Sequence, residues 1–180
     1  MNKDKMKAKV CLVGERAVGK TSLVRRFVLD EFDDRYIRTL GTKVSKKSFN
    51  VVRKDLDTEY DMNMTIWDIM GEKTFTDLLK EAFFTGATGI LAVCDLTRKE
   101  TLKELDGWIR SVYGVAGEVP IAILGNKADL RGRKQLTKKD LDKLCKKYNS
   151  VAYLTSARTG HNVESVFQEL ADKIVDYRSK

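Results

Sequence analysis

Residues 14–21, with the sequence GERAVGKT, limit the possible folds of this chain more than any other feature. They fit the pattern G-x-x-x-x-G-K-[ST] and join an apolar stretch, residues 7–14, to an amphipathic stretch, residues 20–32. A strand that runs through such a turn into a helix is typical of a phosphate-binding loop, at the carboxyl end of a parallel sheet. The sequence therefore predicts an α/β fold with a site for phosphate groups.

This phosphate loop, residues 14–21, supplies several kinds of ligand. Backbone N–H groups around Ala17 to Thr21 are expected to wrap a β-phosphate at the start of the helix. Lys20 is expected to reach the β- and γ-phosphates, and the Thr21 hydroxyl to bind Mg²⁺. By itself the loop leaves kinases, ATPases and GTPases open. The residues predicted to contact phosphate here are Gly14, Ala17, Val18, Gly19, Lys20, Thr21 and Ser22.

Apolar runs alternate with helix-like segments along the rest of the chain. Residues 89–95 and 120–127 are continuous apolar runs of the kind that a parallel sheet buries on both faces. The remaining predicted strands cover 44–52 and 62–68, an antiparallel pair around an acidic turn, and 150–157. The later predicted helices cover about 99–114, 137–148 and 162–177, the last capped by Asn162. We predict a three-layer P-loop NTPase fold with a mainly parallel six-stranded sheet, one antiparallel strand and helices on both faces.

Length and charge restrict the organisation and the partners. The chain has 180 residues, which suits a single nucleotide-binding domain over 1–180, with 1–7 as a short basic N-terminal extension. The net charge is +8, but the basic stretch 131–147 also contains Asp140 and Asp142, as a solvated helix face does. No specific nucleic-acid partner is expected, and weak contact with anionic membranes is left open.

Cysteine usage and the chain ends favour a cytoplasmic protein. The three cysteines, Cys11, Cys94 and Cys145, lack metal-ligand spacing and indicate a reduced compartment. No apolar run is long enough to span a membrane, and no secretory signal is recognised. The sequence contains no lipid-anchor motif, so we expect no lipid anchor.

The identity of the base is predicted from two loops that follow strands. Asn126, Lys127 and Asp129 belong to the segment NKAD, directly after the apolar run IAILG. The Asp129 carboxylate can accept from the two adjacent donors that guanine offers and adenine lacks, while the Lys127 stem can cover the ring. Ser156, Ala157 and Arg158 follow the last predicted strand and are expected to offer backbone N–H groups to guanine O6. We therefore predict guanine rather than adenine.

These motifs occur in the order found in a known family. The segments GERAVGKTSLVRRF, TLG, IWD-x-x-G, FFTGATGILAVCDLT, LGNKADL and TSARTGHNVESVF together resemble a Ras-superfamily small GTPase of the Rab-like branch, over residues 8–175. The resemblance implies a monomeric small G protein that binds GTP or GDP with Mg²⁺. It also implies two switch regions, near 33–45 and 69–85, that read the γ-phosphate and bind protein effectors or regulators. Unlipidated prokaryotic relatives, including archaeal ones, fit this description.

The resemblance assigns further residues around the γ-phosphate. Thr39 matches the threonine that meets Mg²⁺ when the γ-phosphate is present, so the implied metal ligands are Thr21, Thr39 and, through water, Asp68. The Gly71 N–H is expected to meet the γ-phosphate. Phe32 either covers the guanine or forms the hydrophobic end of the first helix. Tyr36 either closes over the phosphates or is exposed.

Glu72 and Arg16 depart from the family pattern, and with Lys20 they are the predicted catalytic residues. Where the family usually has glutamine, Glu72 can accept a hydrogen bond from the attacking water but, when ionised, cannot donate one. Arg16 could block an arginine finger from an activating protein, replace it in cis, or point to solvent. We hypothesise that Arg16 and Glu72 form a pair of opposite charges.

Three readings of function remain open. The first is a switch that hydrolyses GTP slowly, and the second is a nucleotide-locked GTP-binding scaffold with negligible turnover. The third is a P-loop kinase or ATPase of another class. Asp95 is interpreted as structural and His161 as a solvated loop residue. Residues 44–67 are longer than a small GTPase needs, which indicates either a longer hairpin or a partner surface.

Overall fold

The computed structural model describes all residues, 1–180. Its strands are β1 (Asn2–Val13), β2 (Thr42–Arg53), β3 (Thr58–Ile69), β4 (Gly89–Asp95), β5 (Ile121–Asn126) and β6 (Ala152–Leu154). Its α-helices are α1 (Lys20–Leu29), α2 (Lys73–Phe84), α3 (Glu100–Ala116), α4 (Lys138–Lys147) and α5 (Val163–Arg178). None of these helices combines the length and the apolar character that crossing a membrane requires.

The strands form one sheet in the order β2-β3-β1-β4-β5-β6. Only β2 is antiparallel, pairing with β3 from Thr42–Ile69 to Arg53–Thr58, whereas the other neighbours are parallel. This arrangement confirms the predicted sheet. After β1 the chain passes to one side for β3 and to the other for β4, so a crevice opens at the carboxyl end of β1. The phosphate loop begins at that point.

A hydrophobic cluster covers each face of the sheet. Helices α1 and α5 pack on one face, where the rings of Phe27 and Phe167 stack with centroids 3.9 Å apart. Helices α2, α3 and α4 cover the other face, around the buried Trp108 and Ile109. The two buried faces explain why β4 and β5 are apolar at nearly every position.

Several boundaries differ from the sequence prediction. Strand β1 begins at Asn2 rather than at residue 7, because residues 2–7 pair with residues 58–63 of β3. The β2–β3 hairpin likewise extends beyond the predicted 44–52 and 62–68. The last strand is limited to Ala152–Leu154. Asn162 precedes α5, but its side chain donates to the Leu154 carbonyl, at 2.9 Å, instead of capping the helix.

Candidate functional site

A cavity of about 430 Å³ lies at the carboxyl end of the sheet. Its size falls within the range of small-molecule sites. The predicted residues that line it are Arg16, Ala17, Gly19, Lys20, Thr21, Ser22, Phe32, Tyr36, Thr39, Gly71, Glu72, Asn126, Lys127, Asp129, Ala157 and Arg158. Four other predicted residues are buried behind this lining, namely Gly14, Val18, Asp68 and Ser156.

Both glycines of the phosphate loop are required by backbone geometry. Gly14 and Gly19 have φ of 144° and 101°, values that residues with a side chain rarely adopt. A Cβ at Gly14 would collide with the Val93 carbonyl oxygen, and a Cβ at Gly19 would collide with the Asn126 amide. The loop therefore packs tightly against β4 and against residues 126–129, called the base-binding loop below. Ala17, at φ 62°, adds a further left-handed residue.

Lys20 is a buried amine inside this loop. It is 6% exposed, and its Nζ donates to the carbonyl oxygens of Gly14, at 2.8 Å, and Glu15, at 2.9 Å. Burial lowers the pKa of Lys20 to about 8, although the charges of Asp68 and Glu15 oppose this shift. An anion bound in the loop would provide the counter-charge that the amine needs.

Three oxygen-bearing side chains converge beside Lys20. Thr21 Oγ1 lies 2.9 Å from Thr39 Oγ1 and donates a hydrogen bond to Asp68 Oδ2. Asp68 Oδ1 is buried without a hydrogen-bond partner, and burial raises the pKa of this carboxyl group. Hard oxygen ligands with an unsatisfied carboxylate suit Mg²⁺. The residues present thus fit the predicted metal site.

The base-binding loop is tied to the phosphate loop by side chains. Asn126 Nδ2 donates to the Val18 carbonyl, at 3.0 Å, and its Oδ1 accepts from Thr155 at 3.1 Å. Lys127 Nζ donates to the Ala17 carbonyl at 2.8 Å. These bonds fix the distance between the two loops.

The far end of the cavity combines a carboxylate with a cationic and aromatic rim. Asp129 Oδ1 accepts a hydrogen bond from Ser156 Oγ at 2.7 Å, which orients the carboxylate. Phe32 follows α1 rather than belonging to it, and the Arg158 guanidinium carbon lies 5.9 Å from its ring centroid. Tyr36 is exposed at the cavity rim. The predicted base contacts therefore share one end of the cavity.

Two supporting groups were not among the predicted site residues. Arg26 of α1 donates through Nε to the Ala157 carbonyl, at 2.8 Å, and through Nη2 to the Arg158 carbonyl, at 2.7 Å. Arg98 donates to the Arg16 carbonyl, at 2.7 Å. The sequence carries no signal for either role, because each depends on the approach of a distant loop.

Asp95 connects Arg98 with Lys127 of the base-binding loop. Its buried carboxylate pairs with Lys127 at 2.8 Å and with Arg98 at 3.2 Å, so both cations that hold the phosphate loop share one anion. Burial alone would raise the pKa of Asp95, but the hydrogen bonds from Lys127 and Thr97 outweigh it and lower the pKa. This arrangement agrees with the structural role that was predicted for Asp95.

The hypothesised contact between Arg16 and Glu72 is wrong. Glu72 forms an ion pair with Arg38 of the first switch region instead. Arg16 has an exposed side chain and makes no ion pair, while its backbone lies where a Cβ on Gly71 would be. The physical reason is that residues 33–41 fold over the site and bring Arg38 to Glu72, a contact that depends on tertiary structure alone.

Comparison with known proteins gives a consistent result. A family model described as the Ras family matches residues 9–176. The chain is 30% identical to the Ras-related protein Rab-13 of Bos taurus over 168 residues, which are 93% of this chain and 79% of that protein. It is 34% identical to the Ras-related protein Rab-8B of Pongo abelii, again over 168 residues, 93% of this chain and 78% of that protein.

Proposed function

Because the chain belongs to the Ras family, as a Rab-like small GTPase and GTP-binding switch, we propose that it hydrolyses GTP slowly. In this proposal, the switch regions 33–45 and 69–85 read the γ-phosphate. The main structural support for this proposal is that Thr21, Thr39 and Asp68 converge beside Lys20. Thr39 belongs to the first switch region, so its contact with Thr21 brings that region to the phosphate end of the cavity.

Different residues of the chain have different roles in the proposed hydrolysis. Lys20 neutralises charge on the β- and γ-phosphates, and the Gly71 N–H donates to a γ-phosphate oxygen. Thr21, Thr39 and Asp68 would hold Mg²⁺, which when bound neutralises the developing phosphate charge. Glu72 accepts a hydrogen bond from the attacking water and orients it. Because an ionised carboxylate cannot also donate to the γ-phosphate, we expect slow turnover.

Hydrolysis is tested by loading the purified protein with GTP and Mg²⁺ and following GDP formation by chromatography in a single turnover. Wild-type protein should convert its GTP over minutes to hours, and a tenfold excess of ATP should not compete with GTP for binding. Glu72→Gln should react about tenfold faster, a barrier lower by about 1.4 kcal/mol, because the amide both donates and accepts.

A nucleotide-locked scaffold is the second candidate function. It is favoured by the ion pair between Glu72 and Arg38, which engages the carboxylate that is proposed to orient water. In that case bound GTP would remain unchanged over hours in the wild type, whereas Glu72→Gln would turn over. The same time course therefore distinguishes the two candidates.

We also infer that protein effectors or regulators bind the switch regions of a monomeric, cytoplasmic protein. Large apolar side chains are exposed in both regions, with Ile37 and Leu40 in the first and Phe75 and Leu78 in the second. Exposed apolar side chains clustered on one surface are typical of protein-binding sites. Size-exclusion chromatography with light scattering, with and without a GTP analogue, tests the monomer.

A further inference from the structure

We propose that Arg38 strengthens the binding of a nucleoside triphosphate relative to a diphosphate, acting through its ion pair with Glu72. Arg38 lies in the connection between α1 and β2, and Glu72 lies directly before α2. This is the only ion pair that joins the two switch regions. Both side chains line the phosphate end of the cavity beside Thr39 and Gly71.

The ion pair belongs to a conformation in which both switch regions lie over the phosphate end of the cavity. Thr39, the neighbour of Arg38, reaches Thr21, with the hydroxyl oxygens 2.9 Å apart. The Met70 N–H donates to the Gly41 carbonyl, at 2.9 Å, and joins the two regions through their backbones. A contact between the two switch regions favours the conformation in which they meet, which we call closed, and therefore favours ligands that bind this conformation better than others.

Charge gives a second reason for the same preference. The Glu72 side chain is 23% exposed and would face the terminal phosphate of a bound triphosphate. Without a partner, its negative charge would repel that phosphate. The positive charge of Arg38, paired with Glu72, compensates this negative charge. A diphosphate has no γ-phosphate. Its binding therefore depends neither on closure of the switch regions nor on the compensation of the Glu72 charge by Arg38.

Affinities for GDP and for a non-hydrolysable GTP analogue test the proposal. Both are measured in Mg²⁺ buffer, by displacement of a fluorescent guanine nucleotide from wild-type, Arg38→Gln, Glu72→Gln and doubly substituted protein. Arg38→Gln should weaken analogue binding about three- to tenfold, as loss of a partly buried ion pair implies, and change GDP binding less than about twofold. In the Glu72→Gln background, Arg38→Gln should have less than about a twofold effect.

Arg35→Gln is the matched control, because Arg35 lies in the same connection but pairs with Asp33 of its own segment, at 2.6 Å. It should leave the ratio of the two affinities unchanged. Equal weakening of both nucleotides by Arg38→Gln, or no weakening of the analogue, would overturn the proposal. A loss that persists in the Glu72→Gln background would also overturn it, since Arg38 would then act without Glu72. The analogue is not hydrolysed, so these outcomes are independent of the proposed turnover.

Discussion

At the residue scale, Lys20 couples nucleotide binding to pH. In the folded, nucleotide-free protein its pKa is about 8, below the usual 10.5, because the amine is buried. Between these values the unfolded chain binds more protons, so the free protein should become more stable as pH rises from about 8 to 10. Bound phosphates favour the charged amine, so binding at pH 8 should take up about half a proton.

Isothermal calorimetry measures this uptake from the binding enthalpy of GDP in two buffers of different ionisation enthalpy. The proton uptake should increase from pH 7.5 to pH 8.5, as more of the free amine becomes neutral. Lys138, an exposed lysine of α4, gives the matched control, and Lys138→Met should leave the uptake unchanged. A pH-independent uptake would show that Lys20 is already fully charged before binding.

Arg26 holds the backbone of the loop that is predicted to bind the base. Its two hydrogen bonds fix the Ala157 and Arg158 carbonyls, and each bond from a charged donor contributes about 1.5–3 kcal/mol. Arg26→Gln should therefore release GDP about tenfold faster, which stopped-flow fluorescence can measure. Arg110→Gln, which removes only a surface pair with Asp106, should release GDP at the wild-type rate. Equal release from both variants would contradict the role of Arg26.

At the scale of elements, the first half of β1 is integral to the sheet. Residues 2–7 pair with β3, Met6 packs against the core, and the Lys7 carbonyl accepts from Arg178 at 2.6 Å. Deleting residues 1–7 should lower the free energy of unfolding by about 2–4 kcal/mol, through lost apolar burial and hydrogen bonds. Urea denaturation of the GDP-bound protein measures the change.

The control for this deletion keeps the strand and removes its charge. Lys3 and Lys5 are exposed, so replacing both with glutamine should change stability by about 0.5 kcal/mol or less. GDP affinity should stay within about twofold of wild type in the deletion variant, because the phosphate loop follows the retained half of β1. If the deletion has no effect on stability, residues 1–7 do not contribute to the folded sheet and are only the short basic extension that the sequence predicted.

An element can be predicted from the sequence when its burial leaves an apolar pattern within its own residues. Strands β4 and β5 were predicted because both of their faces are buried, which leaves continuous apolar runs in the sequence. Helix α2 was not predicted. Its buried Phe83 and Phe84 lie at its end, whereas Leu78 and Leu79 are exposed. Its sequence therefore shows no apolar stripe at helical spacing.

The same distinction applies to the site. The phosphate and base loops carry local motifs, and the residues that they name do line or support one cavity. Arg26, Arg38 and Arg98 act only through segments that are distant in sequence, so no spacing could indicate them. Glu72 does line this cavity, but its partner depends on the path of the first switch region.

At the scale of the whole molecule, bound nucleotide and Mg²⁺ should stabilise the folded protein against unfolding. The cavity is bounded by α1, both switch regions and the two loops after β5 and β6, so a bound ligand connects segments from most of the chain. A ligand that binds only the folded state stabilises it by about 2.7 kcal/mol at a concentration of 100 times Kd. For a chain of this size, this corresponds to a rise in Tm of about 5–10 °C with GDP and Mg²⁺.

Chelation of Mg²⁺ should reverse much of that stabilisation through Asp68, whose Oδ1 is buried and lacks a protein partner. Adding EDTA to the GDP-bound wild type should speed GDP release at least about tenfold and lower Tm by several degrees. Asp68→Asn keeps the shape but weakens the metal site, so its GDP release should already be fast and respond little to EDTA. The matched control is Asp61→Asn, a change in the same strand away from the cavity, which should keep the full EDTA response. A full response in Asp68→Asn would show that other groups hold the metal.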